Sequence, residues 1–479
     1  MNKTAVSRRA FLKAGSGTLA AASATRAEPS PSSAPPNFVV ICCDDLGYGD
    51  LQCYGSSLPT PHLNRMAREG VRFTRCYAGN NVCSPSRAAL LTGCYATRVG
   101  VPAVLWPTDT MGLSASSPTI AEVLKPAGYT TMCVGKWHVG SAAQFMPRTR
   151  GFDHYYGIPY SSDMSPSILI DDGNVIETPA DLSTLTARYT QQSVNFIATN
   201  ASRPFFLYLA YNTPHLPLAA SPAYLGKSPL GLYGDAVQEI DGSVGQVLQA
   251  LKDNGIDGNT LVIFTSDHGP WFQGNAGILR GRKWSTYEGG VRVPFIARFP
   301  GWIPSEAGRN AFPGASGTGG RVSTAVASGM DILPTIARMA GAALPSTLDG
   351  IDIGPILTGA VDSVARDVML HFRNWDMQCA MYGPWKLHIS RDNNFPWGPM
   401  PAVGGWNLPL PAPELYNLER DPSESCDVAP AHPDVVADIL ARVQNKLPTF
   451  PGEVMNAWNM TMSMKVEGTA VGALPIKAT

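Results

Sequence analysis

The chain of 479 residues is short of charge: Asp, Glu, Lys and Arg together make up 15% of it, and their formal balance is −1. With no surplus of either sign, nothing in the sequence would hold nucleic acid by net electrostatics. No uninterrupted apolar run reaches the roughly 18–20 residues that a membrane span requires, so no stable span is expected. Internal repeats are missing too. What is present is 44% apolar residues, a composition that suits a packed globular protein. The length allows one large domain with a smaller one beside it.

The first 27 residues read as a targeting signal rather than as part of the fold. Ser7-Arg8-Arg9-Ala10-Phe11-Leu12-Lys13 carries twin arginines, a weakly apolar stretch runs from Gly15 to Ala24, and small residues suited to cleavage lie between Ala24 and Ala27. The pattern is that of bacterial twin-arginine export, which implies a periplasmic or secreted protein and the export machinery as a maturation partner. Removing residues 1–27 takes away basic residues and no acidic ones, leaving a mildly acidic chain. Residues 28–36, rich in Pro and Ser, read as a linker.

Nine cysteines are present, an odd number that flags one thiol with a separate task. Cys42, Cys43 and Cys133 lie in apolar runs and read as small buried hydrophobes. A twin-arginine substrate folds in the cytoplasm, where disulfides are disfavoured, so no disulfide framework is inferred.

Four apolar runs end in polar residues. Phe38–Cys43 ends in Asp44-Asp45, Tyr129–Val134 in Gly135-Lys136-Trp137-His138, Phe205–Tyr211 in Thr213-Pro214-His215, and Leu261–Thr265 in Asp267-His268. Such runs suit strands buried on both faces of a parallel sheet. Helical patterns between them, at Pro61–Glu69, Thr119–Pro126 and Tyr233–Lys252, complete a large doubly wound, mostly parallel α/β sheet sandwiched by helices. In such folds ligands gather at the carboxyl ends of the strands, and four endings of this kind converge on one site. The catalytic domain is expected over residues 37–365. Shorter runs in 366–479 suggest a smaller C-terminal α+β subdomain with a short antiparallel sheet, and a last helix at Pro433–Leu447.

The most specific segment is Cys83-Ser84-Pro85-Ser86-Arg87-Ala88-Ala89-Leu90-Leu91-Thr92-Gly93. A helix is predicted over Ser86–Leu91, ended by Gly93, which puts Cys83 at or just before a helix N-terminus that favours an anion. A structural cysteine is the default for a lone Cys. A thiolate phosphatase needs five residues between Cys and Arg, and only three separate them here. The third reading is Cys-x-Pro-x-Arg followed by Leu-Thr-Gly, the signature of the type I sulfatases.

From about residue 37 to 430 the chain resembles the formylglycine-dependent type I sulfatases of the alkaline phosphatase superfamily, and within them the arylsulfatase A-like enzymes. The resemblance rests on Asp44–Asp50, Cys83–Gly93, Gly135–His138, Gly151-Phe152, Gly157–Ser161, Thr265–Pro270, Lys283 with Tyr287–Arg292, Leu415–Leu418 and Asp421-Pro422, all in order. It implies hydrolysis of sulfate monoesters, sulfated carbohydrate or aryl sulfate, to alcohol and inorganic sulfate. A formylglycine-generating enzyme would convert Cys83 to 3-oxoalanine, whose hydrate is a geminal diol. One hydroxyl attacks sulfur and the other collapses the resulting ester, so that a hard step becomes two easier ones. By the same resemblance, Asp44, Asp45, Asp267 and His268, with residue 83, hold a divalent cation, Ca²⁺ in the family. Arg87 holds the diol or anchors the helix. Lys136 and Lys283 grip sulfate, and Ser161 assists them. His138 takes the diol proton, while His215 gives a proton to the leaving oxygen.

Two positions depart from that pattern. His268 stands where these relatives commonly carry Asn, and imidazole is a poorer calcium ligand than an amide oxygen, which leaves other divalent metals open. Cys94 stands where they often carry Arg. Trp106, Trp271 and Phe272 are candidates for a sugar platform or for buried packing. The competing functions are a phosphodiesterase or phosphonate monoester hydrolase of the same superfamily, and a non-catalytic sulfated-glycan-binding protein.

Overall fold

The computed structural model describes residues 34–303, 320–392 and 407–464. The expected signal segment and all but the end of the linker lie outside them. A ten-stranded sheet dominates. Its strands are β1 (Asn37–Cys43), β2 (Val71–Tyr77), β3 (Thr130–Gly135), β4 (His154–Gly157), β5 (Leu169–Asp171), β6 (Asn174–Glu177), β7 (Phe205–Ala210), β8 (Thr260–Ser266), β9 (Arg292–Arg298) and β10 (Arg321–Ser328). They lie in the order β10-β2-β9-β8-β1-β7-β3-β4-β5-β6. The central five, β8-β1-β7-β3-β4, are mutually parallel, whereas β9 runs antiparallel to both its neighbours.

The apolar runs form strands because each can bury both faces. In β1, Phe38, Val40 and Cys42 enter one core, and Val39, Ile41 and Cys43 enter the core on the other side. β7 divides in the same way, with Phe206 and Tyr208 on one side and Leu207 and Leu209 on the other. Side chains alternate across a strand, so a continuous apolar run needs cover on both faces. Helices supply it. Gly231–Asp253 presents Val237, Ile240, Val244 and Leu248 to one core, and Ile332–Met339 presents Ile332, Leu333 and Ile336 to the other. Each large aliphatic side chain so buried contributes about 1.5–3 kcal/mol relative to leaving it in water.

A separate four-stranded antiparallel sheet lies in the C-terminal region: β11 (Met369–Arg373), β12 (Asp376–Tyr382), β13 (Trp385–Asp392) and β14 (Asn407–Asn417), in that order. Its core includes Leu370, Leu387 and Leu415 and reaches Ala89, Tyr95 and Met330 of the larger layer. Pro433–Lys446 is helical as expected, but it is not the last helix. Gly452–Ser463 follows and buries Val454 and Trp458 in the same core. Pro451 stands at its entry, where Pro is tolerated. Among the described residues no helix is long and apolar enough to cross a membrane.

Candidate active site

The four strands whose endings carry polar residues, β8, β1, β7 and β3, are consecutive neighbours in the sheet. Parallel pairing brings their carboxyl ends to one edge, so Asp44-Asp45, Lys136 and His138, His215, and Asp267-His268 converge there. Cys83 comes from the segment after β2. It is the first residue of the helix Cys83–Thr92, every residue of which is buried, and Gly93 ends that helix at φ 68°. A left-handed end suits glycine, as the sequence predicts.

The Cys83 Sγ lies 3.4 Å from Asp44 Oδ1 and 3.3 Å from His268 Nε2. Arg87, one turn further along the helix, donates to Asp267 Oδ2 at 3.0 Å and to the Lys136 carbonyl at 2.8 Å, and lies 3.6 Å from Asp44 Oδ2. It clamps two carboxylates to the ends of separate strands. Lys136 Nζ pairs with Asp44 and donates to Ser161 Oγ at 3.0 Å. Lys283 Nζ donates to Asp45 Oδ1 at 2.8 Å, and His215 Nε2 lies 3.7 Å from Asp45 Oδ2. Apart from His138, every residue singled out for chemistry therefore belongs to one buried network.

The histidines differ in which ring nitrogen is occupied. His138 Nε2 meets the Leu105 carbonyl at 2.9 Å, so that nitrogen carries the hydrogen, and Nδ1 makes no close hydrogen bond among the described residues, the Cys83 thiol being its neighbour in the site. Burial and the neighbouring Lys136 ammonium hold His138 below its ordinary range, so the ring is neutral. His215 and His268 instead spend Nδ1 on the carbonyls of Leu216 (2.6 Å) and Gly269 (2.9 Å), which turns Nε2 of each inward. Burial opposes charge on His215, but the Asp45 carboxylate outweighs it and raises its pKa.

Among the buried cysteines Cys83 stands apart. Burial pushes the thiols of Cys42, Cys43 and Cys133 well above their usual range. Burial also opposes ionisation of Cys83, yet the cations Lys136 and Lys283 prevail and bring it well below. All nine cysteines are free thiols.

The donor set fits a divalent cation. Asp44, Asp45, Cys83 and His268 offer one ligand atom each, all within 4.8 Å of one another, and Asp267 Oδ1 lies 3.5 Å from His268 Nε2. Although burial disfavours a charged imidazole, the Asp267 carboxylate and Cys83 push His268 up to about 9. The field that favours a proton on Nε2 also favours a metal ion there.

Trp106 and Phe272 are 57% and 42% exposed, so neither is core packing. Trp106 follows the carbonyl that holds His138, and Trp271 follows the Pro270 carbonyl that accepts from the Lys283 amide at 3.0 Å. Asn81 escapes the sequence reading. Its side chain donates to the Trp284 carbonyl at 3.0 Å and its carbonyl accepts from the Trp284 amide at 3.0 Å, which ties the Cys83 segment to that of Lys283. Its place two residues before Cys83 is the only signal in the sequence.

A strand-end constellation of this kind, at the carboxyl ends of a parallel sheet, suits a hydrolase of tetrahedral oxyanion esters. The chain belongs to the sulfatase family, whose model matches residues 36–342, and it is a sulfuric ester hydrolase. It is 37% identical to human arylsulfatase A over 449 residues, covering 84% of this chain and 86% of that protein. It is 36% identical to N-acetylgalactosamine-6-sulfatase of Canis lupus familiaris over 476 residues, covering 88% and 87%. Among solved structures, a Bacteroides thetaiotaomicron sulfatase from the metabolism of multiple glycosaminoglycans superimposes with a TM-score of 0.75 at 27% identity, over 86% of this chain and 99% of that one.

Proposed function

We propose that this sulfatase removes sulfate from sulfated carbohydrate in the bacterial periplasm or outside the cell, with residue 83 working as formylglycine beside a divalent cation. The observation that carries this reading is the treatment of Cys83. It alone among the buried thiols meets carboxylate, imidazole and two ammonium groups at the head of a helix. When present, the hydrated formylglycine supplies the nucleophile, and a divalent cation, calcium by resemblance, offsets the charge that develops on sulfate oxygen.

The remaining roles belong to side chains of this protein. Lys136 and Lys283 hold sulfate oxygens, each kept in place by a carboxylate, and Ser161 fixes Lys136 and adds a hydroxyl. Nε2 of His215 delivers a proton to the leaving oxygen. Nδ1 of His138, with a free lone pair, receives one from the nucleophile's second hydroxyl. Arg87 keeps Asp44 and Asp267 at their spacing. A carbohydrate substrate is supported by the names of the relatives, one a hexosamine sulfatase and another linked to glycosaminoglycans.

The test is the mass of the peptide that contains residue 83. Exchange of thiol for aldehyde makes the active protein's peptide about 18 Da lighter than encoded. Full activity from protein whose Cys83 is wholly a thiol would overturn the reading.

A further inference from the structure

A second buried charge cluster lies where the small C-terminal sheet meets the loop after Lys283. Lys386 of β13 has no solvent exposure. Its Nζ lies 2.9 Å from Glu288 Oε1 and 3.3 Å from Glu424 Oε1, and both carboxylates are equally buried. Glu424 Oε2 accepts from the Glu288 amide at 2.6 Å, and Oε1 meets His388 Nε2 at 2.6 Å. Glu288 Oε2 accepts from the Tyr77 hydroxyl at 2.9 Å and faces Arg292 at 3.3 Å.

Between Lys283 and Glu288 the chain is gripped from the same side. The Thr286 hydroxyl donates to Gln378 of β12 at 3.0 Å, and the rings of Tyr287 and His388 lie 4.7 Å apart. At Trp284 the backbone turns at φ 75° and is held by Asn81. A non-glycine residue in that region costs energy and persists only where its surroundings impose it. Burying an ammonium between two carboxylates also adds little net stability compared with an apolar contact. A costly cluster that holds one short loop is best explained by what the loop carries.

We infer that Lys386 and Glu424 are positioning residues: the C-terminal sheet aims Lys283 at the sulfate by fixing Glu288 and the backbone between them. The inference rests on the reading of Lys283 as a sulfate-gripping residue. Lys386 touches no reacting atom and acts only through the loop.

The experiment is a pair of double-mutant cycles on the full-length protein, read through KM for an activated aryl sulfate and the inhibition constant of inorganic sulfate. Lys386→Met is expected to raise both by about tenfold, as expected when a binding group is displaced by a fraction of an ångström. Combined with Lys283→Ala it adds nothing further, because the group it aims is already gone. Combined with Ser161→Ala the effects multiply, since Ser161 contacts Lys136 and shares no carboxylate with Lys283. A general loosening of the fold would couple to both partners alike. Should Lys386→Met not fold, Glu424→Gln carries the same cycles. Effects that multiply in the Lys283 cycle would overturn the positioning role alone. A Lys283→Ala variant with unchanged sulfate inhibition would remove the reading beneath it.

Discussion

His138 and His215 carry the same side chain into the same site and leave it with opposite capacities. His138 has spent Nε2 on a carbonyl and keeps a free Nδ1 on a neutral ring, the state of a proton acceptor. His215 has spent Nδ1 and turns Nε2 toward a carboxylate that favours its protonated form, the state of a donor. A sugar alkoxide needs a proton to leave far more than a nitrophenolate does. His215→Ala should therefore lower kcat/KM on a sugar sulfate by about 10²–10⁴, and clearly less on an activated aryl sulfate. His138→Ala should slow sulfate release with both substrates and give a burst of alcohol before a slow steady state. Rapid-mixing assays of each variant decide the matter, and a burst from His215→Ala alone would reverse the assignment. Residue types were legible in sequence here. The tautomers were not, because His138 is fixed by the Leu105 carbonyl, which only folding brings to its ring, and His215 uses the adjacent Leu216 carbonyl only in the orientation that packing against Asp45 imposes.

At the scale of elements, the site depends on how tightly three strand ends pack. Gly135 closes β3 at φ 108°, and a Cβ there would stand 1.9 Å from the Ala210 carbonyl oxygen of β7. That contact lets the Lys136 amide donate to the same carbonyl at 2.7 Å and turns the Lys136 side chain toward Asp44. Gly135→Ala should destabilise the protein by about 3 kcal/mol through backbone strain and the forced shift of β7. Denaturant unfolding measures the loss, and a value near zero would mean that the strand ends relax freely. The four central strands could be read from their apolar runs because burial on both faces leaves a continuous signal. The antiparallel β9 left no such mark, since one of its partners, β2, is distant in the chain, and β5 and β6 form a hairpin of strands too short to show a period.

Across the whole molecule, the proposed cation site among the carboxylates gathered at the ends of β1 and β8 would make the centre of the sheet a linkage point for metal. A cation that binds only the folded state stabilises it by mass action, about 2.7 kcal/mol at a hundredfold excess over Kd. Chelation should lower both Tm and activity, with calcium restoring them. Asp45→Asn should lose the response to added metal together with most of the activity. Thermal melts with and without chelator check this, and a wild-type rate from exhaustively chelated Asp45→Asn would show that the ligand set is wrong. The C-terminal sheet joins the same unit through the core that links Leu370 and Leu387 to Ala89.

The sequence by itself determined the sheet's central strands, the helix that presents Cys83 and the identity of the side chains at each strand end. Those features are local: strand periodicity, a helix start and stop, and a motif read along one stretch of chain. Tertiary structure alone decided that β8, β1, β7 and β3 lie side by side, that Asn81 ties Cys83 to the Lys283 loop, and that Lys386 stands behind Glu288. Such relations join residues up to about two hundred positions apart, and they are settled by burial and charge pairing in three dimensions. Local pattern carries no trace of them. The energy that selects them exists only once the chain has folded.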